Sequence, residues 1–312
     1  MDWQDRYQPR RVPEPVLRRM TPDDIPAAVE VLHSIGWEGD ERRWERMLYW
    51  APDGCFVLDE PERGVIGTVS TTPYGKALAW VGMMAVAADR QRRGFGRQLM
   101  RAALDSLIAR RVERIMLDAT DVGRPLYESL GFRPLYKVYR WEGKASTYLG
   151  ARARRMEPDD VTAVLDLDAR YFGIPREHIL LRLLEEDPEL AWVDEERGQL
   201  QGYLLARHGP RGAFLGPWMA GSAASAERLL RKGLDRKPRL LARTAAGPDG
   251  VGDHPRTQRA RDAGRRGPYP APGERMHAHD LRGRLPHPGR AAGRAGDRLL
   301  RDGLTGQPRR PR

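Results

Sequence analysis

The residues that first invite chemistry lie between positions 81 and 100. There Val81-Gly82-Met83-Met84-Ala85-Val86 runs through Ala87-Ala88-Asp89-Arg90 into Gln91-x-x-Gly94-x-Gly96. The apolar run reads as a buried strand and the stretch from Gly96 as an amphipathic helix, so the glycines fall at a helix start. Consecutive backbone N–H groups at such a junction cradle an anion, and glycine lets a phosphate approach the backbone. Arg92, Arg93 and Arg97 add fixed positive charge around it. The loop has no Gly-Lys-Ser/Thr and no Gly-x-Gly-x-x-Gly, which excludes a nucleoside-triphosphate loop and a dinucleotide fingerprint. Taken alone, Gly-x-Gly at a helix start is equally a tight turn.

A second segment raises the first. Thr120-Asp121-Val122-Gly123-Arg124-Pro125-Leu126-Tyr127-Glu128-Ser129-Leu130-Gly131-Phe132 follows a short buried strand, Ile115-Met116-Leu117, about one helix downstream. With both segments in this order, residues 15–143 closely resemble the GNAT superfamily of acyl-CoA N-acyltransferases. The first segment matches that family's loop for the coenzyme A pyrophosphate after the fourth strand, and Tyr-Glu-x-Leu-Gly-Phe matches its second signature. The resemblance implies an N-acetyltransferase with acetyl-CoA as co-substrate, no metal, and a small-molecule or peptide amine as acceptor. It implies that Gln91, Arg92, Arg93, Gly94, Phe95, Gly96 and Arg97 hold the pyrophosphate. It further implies that the backbone of Met84, Ala85 and Val86, on a splayed strand, stabilises the carbonyl oxygen. Tyr127 matches the family's tyrosine near the coenzyme A sulfur and is the expected general acid.

The general base carries no motif. A primary ammonium has a pKa near ~10.4, so the acceptor must lose a proton before it attacks. Glu38, Asp40 and Glu41, with Trp37 and Trp44, sit between the first two helical patterns, where members of the family often line the acceptor site. Trp37, Glu38 and Asp40 are therefore the substrate candidates, although a solvated acidic loop reads the same way. Asp118 ends the fifth strand and serves equally as a base, a helix-start cap or a structural hydrogen-bond partner; a water chain is a further route. A non-catalytic acyl-CoA-binding protein is the alternative reading of the whole constellation. His277 and His279 lack a ligand cluster, and His33, His178 and His208 show no partner pattern. Cys55 beside Phe56-Val57-Leu58 reads as a buried strand residue.

The elements that must position these residues are mixed. Strands are expected over 16–20, 55–58, 64–72 and 79–86, with helices over 22–35 and 42–50 and a turn at Pro73-Tyr74-Gly75. A helix over 96–110 carries Leu99, Met100, Ala103, Leu104, Leu107 and Ile108 on one face. A strand at 115–117, a short helix over 124–130 and a strand over 132–141 follow. This order predicts an α+β fold, a mostly antiparallel sheet flanked by helices.

The chain also repeats itself. Arg18-Arg19-Met20-Thr21-Pro22-Asp23-Asp24-Ile25 returns further on as Arg154-Arg155-Met156-Glu157-Pro158-Asp159-Asp160-Val161. The step from position 18 to position 154 is a domain length, so a tandem duplication is expected. Helices over 158–170, 177–186 and 223–235 and strands over 191–194, 200–207 and 213–219 give the amino-terminal part of a second, divergent unit. There Phe214-Leu215-Gly216-Pro217-Trp218-Met219-Ala220 meets its helix without a Gln-x-x-Gly-x-Gly, so no acetyl-CoA site is expected. The divisions are an extension over 1–14, a GNAT domain over 15–145, a partial second domain over 149–237 and a tail over 238–312.

Charge and cysteine count bound the function. The 312 residues carry 54 Lys plus Arg and 43 Asp plus Glu, a net +11. The tail over 238–312 holds 17 Arg, no Lys and 7 acids, so ten of those charges belong to it and positions 1–237 are nearly neutral. The tail also has 12 Gly, 10 Pro and only 8 Leu, Ile, Val or Phe, too little for a core, and is expected to be disordered. It begins where the second unit should continue, and its Arg-, Gly- and Pro-rich text is what a shifted reading frame of GC-rich coding DNA produces. Nucleic-acid binding would rest on this tail alone and is not the expected function. One cysteine excludes a disulfide framework, and the absence of a signal peptide or an apolar span predicts a cytoplasmic protein without a membrane partner.

Overall fold

The computed structural model describes residues 14–139, 141 and 152–235, and the backbone of 275–282. Strand β1 (Val16–Arg19) leads through a single 3-10 turn into α1 (Ile25–Ser34) and α2 (Glu41–Trp50). A meander follows: β2 (Cys55–Glu60), β3 (Gly64–Tyr74) and β4 (Leu78–Val86). Helix α3 (Phe95–Ala109), β5 (Arg114–Ala119), α4 (Arg124–Ser129) and β6 (Arg133–Tyr139) complete the first unit's own elements. The turn expected at Pro73-Tyr74-Gly75 shifts to residues 75–77, because β3 keeps its pairing with β4 as far as Tyr74↔Leu78.

All neighbours in this sheet are antiparallel except β4 and β5, which run parallel. The two faces bury different helices. Ala79, Val81, Ile115 and Leu117 pack with Leu99, Met100, Ala103 and Leu107 of α3. On the other face Cys55, Val57, Met83 and Ala85 pack with Ala28, Val31 and Leu32 of α1 and Trp44 of α2. Cys55 is fully buried, which pushes its thiol up to about 12 and leaves it inert, as its apolar setting predicts.

The second unit repeats the opening. After β7 (Arg154–Arg155) come α5 (Val161–Phe172), α6 (Glu177–Glu186), β8 (Ala191–Glu196), β9 (Gln199–Gly209), β10 (Gly212–Ala220) and α7 (Ala223–Gly233). Its antiparallel sheet has the order β10-β9-β8-β7. The repeat seen in the sequence is one recurring joint. Arg18 grips Asp24 through both guanidinium nitrogens at 2.7 Å and reaches across to Asp59. Arg154 does the same to Asp160, at 2.7 and 2.8 Å, and reaches Glu195. Each aspartate also accepts from the backbone N–H that opens its helical turn, Thr21 in one copy and Glu157 in the other, at 2.8 Å.

The two units pack directly on each other. Trp50 and Tyr74 join the second unit's core, the Tyr74 ring meets Phe172 edge-on with centroids 5.3 Å apart, and Arg46 of α2 pairs with Glu186 of α6 at 2.6 Å.

The tail expectation needs one correction. Arg275–Arg282 forms β11, antiparallel to both β5 and β6, so the first sheet reads β1-β2-β3-β4-β5-β11-β6. Composition misleads here because it measures side-chain core, whereas a strand between two open edges is held by main-chain hydrogen bonds on both sides. The rest of the expectations for the tail fall outside the described residues. Among the described residues no helix is long and apolar enough to cross a membrane.

Candidate active site

Strands β4 and β5 pair only at Ala79↔Ile115, Trp80↔Met116 and Val81↔Leu117. Beyond Val81 they part. The cause is local: the β3–β4 register slips between Thr68↔Ala85 and Ser70↔Gly82, placing one extra residue in β4. Met83 takes a positive φ of 51° there, and the buried Thr68 hydroxyl donates to its carbonyl at 2.8 Å, fixing the bulge. The stretch from Met84 to Val86 therefore borders a cleft on its β5 side, where it has no strand partner among the described residues.

The loop below the cleft is built as an anion cradle. Arg92 adopts φ 64° and Gly94 φ 84°, left-handed turns that alternate with ordinary backbone and point successive N–H groups inward. A positive φ costs a non-glycine residue on the order of 1 kcal/mol, and such strain gathers at functional sites. None of the backbone N–H groups of residues 91–96 donates to another backbone group among the described residues. Gln91, Arg92, Arg93 and Gly94 are exposed, with Phe95, Gly96 and Arg97 half-buried behind them. The Gln91 side chain donates to the Val86 carbonyl at 3.1 Å and so ties the loop to the end of β4. Arg97 reaches Ser129 Oγ of α4 at 2.8 Å, joining the two signature segments. Arg92 and Arg93 have no ion pair among the described residues, which leaves their charge available to a ligand.

Tyr127 lies on α4, buried, with its ring edge-on to Phe132 at 6.2 Å. Burial raises its pKa, so the phenol keeps its proton at neutral pH. Asp118 is the first β5 residue past the last β4–β5 pair. Its neighbours Leu117 and Ala119 belong to the α3 face, so by strand alternation Asp118 points to the opposite face with Met116. It is exposed, yet the protein around its carboxyl raises its pKa to about 6 by desolvation. Among the described residues it makes no side-chain hydrogen bond and caps no helix.

The α1–α2 loop sits at the same end of β4, since Ser34 Oγ accepts from the Ala88 N–H at 3.3 Å. Trp37 packs with the core cluster that contains Met83 and Ala85 rather than on the wall of a neighbouring recess. Glu38 and Asp40 do line one, together with Arg43, Arg46, Arg207 and Phe214. The last two come from the second unit and have no signal in the sequence, because only the packing of the two units brings them there. The second unit lacks a cradle of its own: β10 ends at Ala220 and α7 begins at Ala223.

His208 also gains partners that its sequence context does not reveal. Its Nε2 lies 3.7 Å from Asp187 and 3.6 Å from Glu189, and the three donor atoms fall within 4.8 Å of one another. This set is able to hold a divalent cation, although Arg42 already approaches Asp187 at 3.9 Å.

The same arrangement of elements occurs in known proteins. Residues 25–132 match the model of the Acetyltransferase (GNAT) family, and residues 164–240 match that of an Acetyltransferase (GNAT) domain. The chain is 26% identical over 220 residues to the uncharacterized N-acetyltransferase YitH of Bacillus subtilis (strain 168), covering 69% of this chain and 77% of that one. Among solved structures, a putative acetyltransferase from Pyrococcus horikoshii superposes with a TM-score of 0.59 at 21% identity, covering 87% of this chain and 90% of its own. A GCN5-related N-acetyltransferase from Sphaerobacter thermophilus gives 0.55 at 15% identity, covering 85% and 95%.

Proposed function

The chain belongs to the GNAT acetyltransferases, as a tandem of two such domains, and we propose that its first domain moves the acetyl group of acetyl-CoA onto a primary amine. The observation that carries this is the run of N–H groups at 91–96, open to an anion, directly beside the gap between β4 and β5. The pyrophosphate of acetyl-CoA takes that cradle, with Arg92 and Arg93 against its charge. The thioester then lies along the gap, where backbone N–H groups of residues 84–86 polarise its carbonyl.

The acceptor enters from the face that carries Asp118. As a carboxylate above about pH 6, Asp118 takes a proton from the ammonium, directly or through one water. The freed amine attacks the carbonyl carbon, the N–C bond forms, and collapse breaks the C–S bond. The sulfur leaves with the proton of the Tyr127 phenol, and the acylated nitrogen sheds its extra proton to solvent, from which the phenol is restored. The second domain supplies the far wall of the acceptor recess. The test is release of coenzyme A in the presence of a panel of amines, with wild type and an Arg92→Glu/Arg93→Glu double variant. We expect release with at least one amine and a rise of about tenfold or more in the KM for acetyl-CoA in the variant. Tight acetyl-CoA binding without release from any amine would instead mark a binding protein.

A further inference from the structure

The recess between the two units is electrically unfinished. It is a shallow, open recess whose walls are the α1–α2 loop, the start of α2 and the β9–β10 hairpin. Every acid around it is already engaged. Glu38 pairs with Arg211, Asp40 caps α2 by accepting from the Arg42 N–H at 3.1 Å, and Glu186 holds Arg46 at 2.6 Å. Two cations are left over. Arg43 has no carboxylate partner among the described residues. Arg207 has no salt bridge among the described residues: it donates to the Gly216 carbonyl at 2.7 Å, its guanidinium lies 5.4 Å from the Phe214 ring, and Asp40 and Glu186 attract it from further off.

Arg207 is the less ordinary of the two. Its side chain is half-buried, and desolvation, with repulsion from Arg46 and Arg43 and against attraction from Asp40 and Glu186, lowers its pKa to about 10. Asp40 and Glu186 offset this only in part, and a desolvated cation gains when an anion meets it. The α1–α2 loop links the recess to the core beneath β4. Glu38, which lines it, follows directly on Trp37, which packs with the core cluster that contains Met83 and Ala85 of β4.

We infer that the acceptor is a small amine bearing an anionic group, a carboxylate or a phosphate, which docks on Arg207 with Arg43 beside it. This rests on the acetyltransferase reading and names its substrate class. The acceptor's ammonium then faces Asp118 while its anion is held by a residue of the second unit. Guanidinium offers paired N–H donors that match either oxyanion.

The experiment uses matched twins in the full chain: α-amino acids against their amides for the carboxylate, and phosphoethanolamine against ethanolamine for the phosphate. We expect one anionic twin to be acetylated with a kcat/KM at least tenfold above its neutral counterpart. Arg207→Gln should erase that preference by raising the acceptor KM tenfold or more, with kcat and the acetyl-CoA KM within threefold of wild type; Arg207→Lys should restore part of it. Equal use of both twins by wild type overturns the inference, as does an Arg207→Gln variant that depresses both twins alike. If no amine in the panel is acetylated, the acetyltransferase reading fails, and calorimetry with N-acetylated amino acids and their amides still decides on Arg207. Wild-type binding that ignores the carboxylate overturns the assignment; binding of the acid form that Arg207→Gln loses upholds the anion site.

Discussion

The ring of Tyr127 lies against the backbone of Gly123, one turn earlier at the start of the same short helix: a Cβ added to Gly123 would come within 2.9 Å of the Tyr127 Cε2. The position of the phenol is therefore set by the absence of a side chain at 123. Gly123→Ala should displace the ring and cut turnover about tenfold or more, while acetyl-CoA affinity holds. Tyr127→Phe should lower turnover by a similar factor. Steady-state kinetics with separate titration of acetyl-CoA checks both, and an unchanged kcat with an unchanged pH profile in Tyr127→Phe would remove the tyrosine from the reaction.

Asp118 gives activity and stability opposite slopes in pH. Its pKa is raised from 3.8 to about 6, so the folded chain binds more protons than the unfolded one between these values, and stability falls as pH rises through that window. Activity should rise over its upper part, as the carboxylate forms. Asp118→Asn should thus melt at a higher temperature than wild type at pH 7 and lose the acid limb of kcat/KM. Thermal melts and initial rates between pH 4.5 and 8 test the pair of effects; a retained limb near pH 6 would assign the base elsewhere.

The paired joints at Arg18–Asp24 and Arg154–Asp160 are structural. Asp24 is held below the usual carboxylate range, first by its hydrogen bond from Arg18, so its contribution is present above the unfolded pKa and lost as pH falls through the lower folded value. Asp24→Asn should cost about 1–2 kcal/mol at pH 7. Its difference from wild type should shrink toward pH 2. Urea denaturation at the two pH values reads this directly.

How far the sequence reaches follows from where each signal is stored. The cradle and Tyr127 are legible because their residues are neighbours in the chain: a glycine at a helix start and a tyrosine one turn before Leu130-Gly131-Phe132 announce their geometry locally. The duplicated joint is legible for the same reason, since Arg18 and Asp24 stand on either side of a single turn. The bulge at Met83 is not, since it exists only relative to the register of β3. Trp37 reads as a substrate candidate from its place between the first two helices, and its packing with the cluster that contains Met83 and Ala85 is visible only in the fold. Arg207 and Arg46 belong to different units, and no local pattern ties the two.

Removal of residues 268–312 should damage the first domain, although it is the last part of the chain. Without β11 the edges of β5 and β6 lie open, and Asp118 loses the flanking backbone at Ala278. We expect a fall in Tm of roughly 5 °C or more, concentration-dependent aggregation and reduced turnover. A truncated chain that melts and reacts as wild type would show that β11 adds nothing to the site.

The same strand sets a schedule for synthesis. Strand β6 ends at Tyr139 and β11 ends at Arg282, so the ribosome makes the elements of the second unit before the gap between β5 and β6 has a strand to fill it. At translation rates of about 5–20 residues per second, that interval is roughly 7 to 30 s. During it the nascent domain presents two unpaired edges and the carboxylate of Asp118, while the second unit emerges and docks beside it. The amino-terminal domain is thus finished after the second unit, and its sheet closes only once the chain has been made through Arg282.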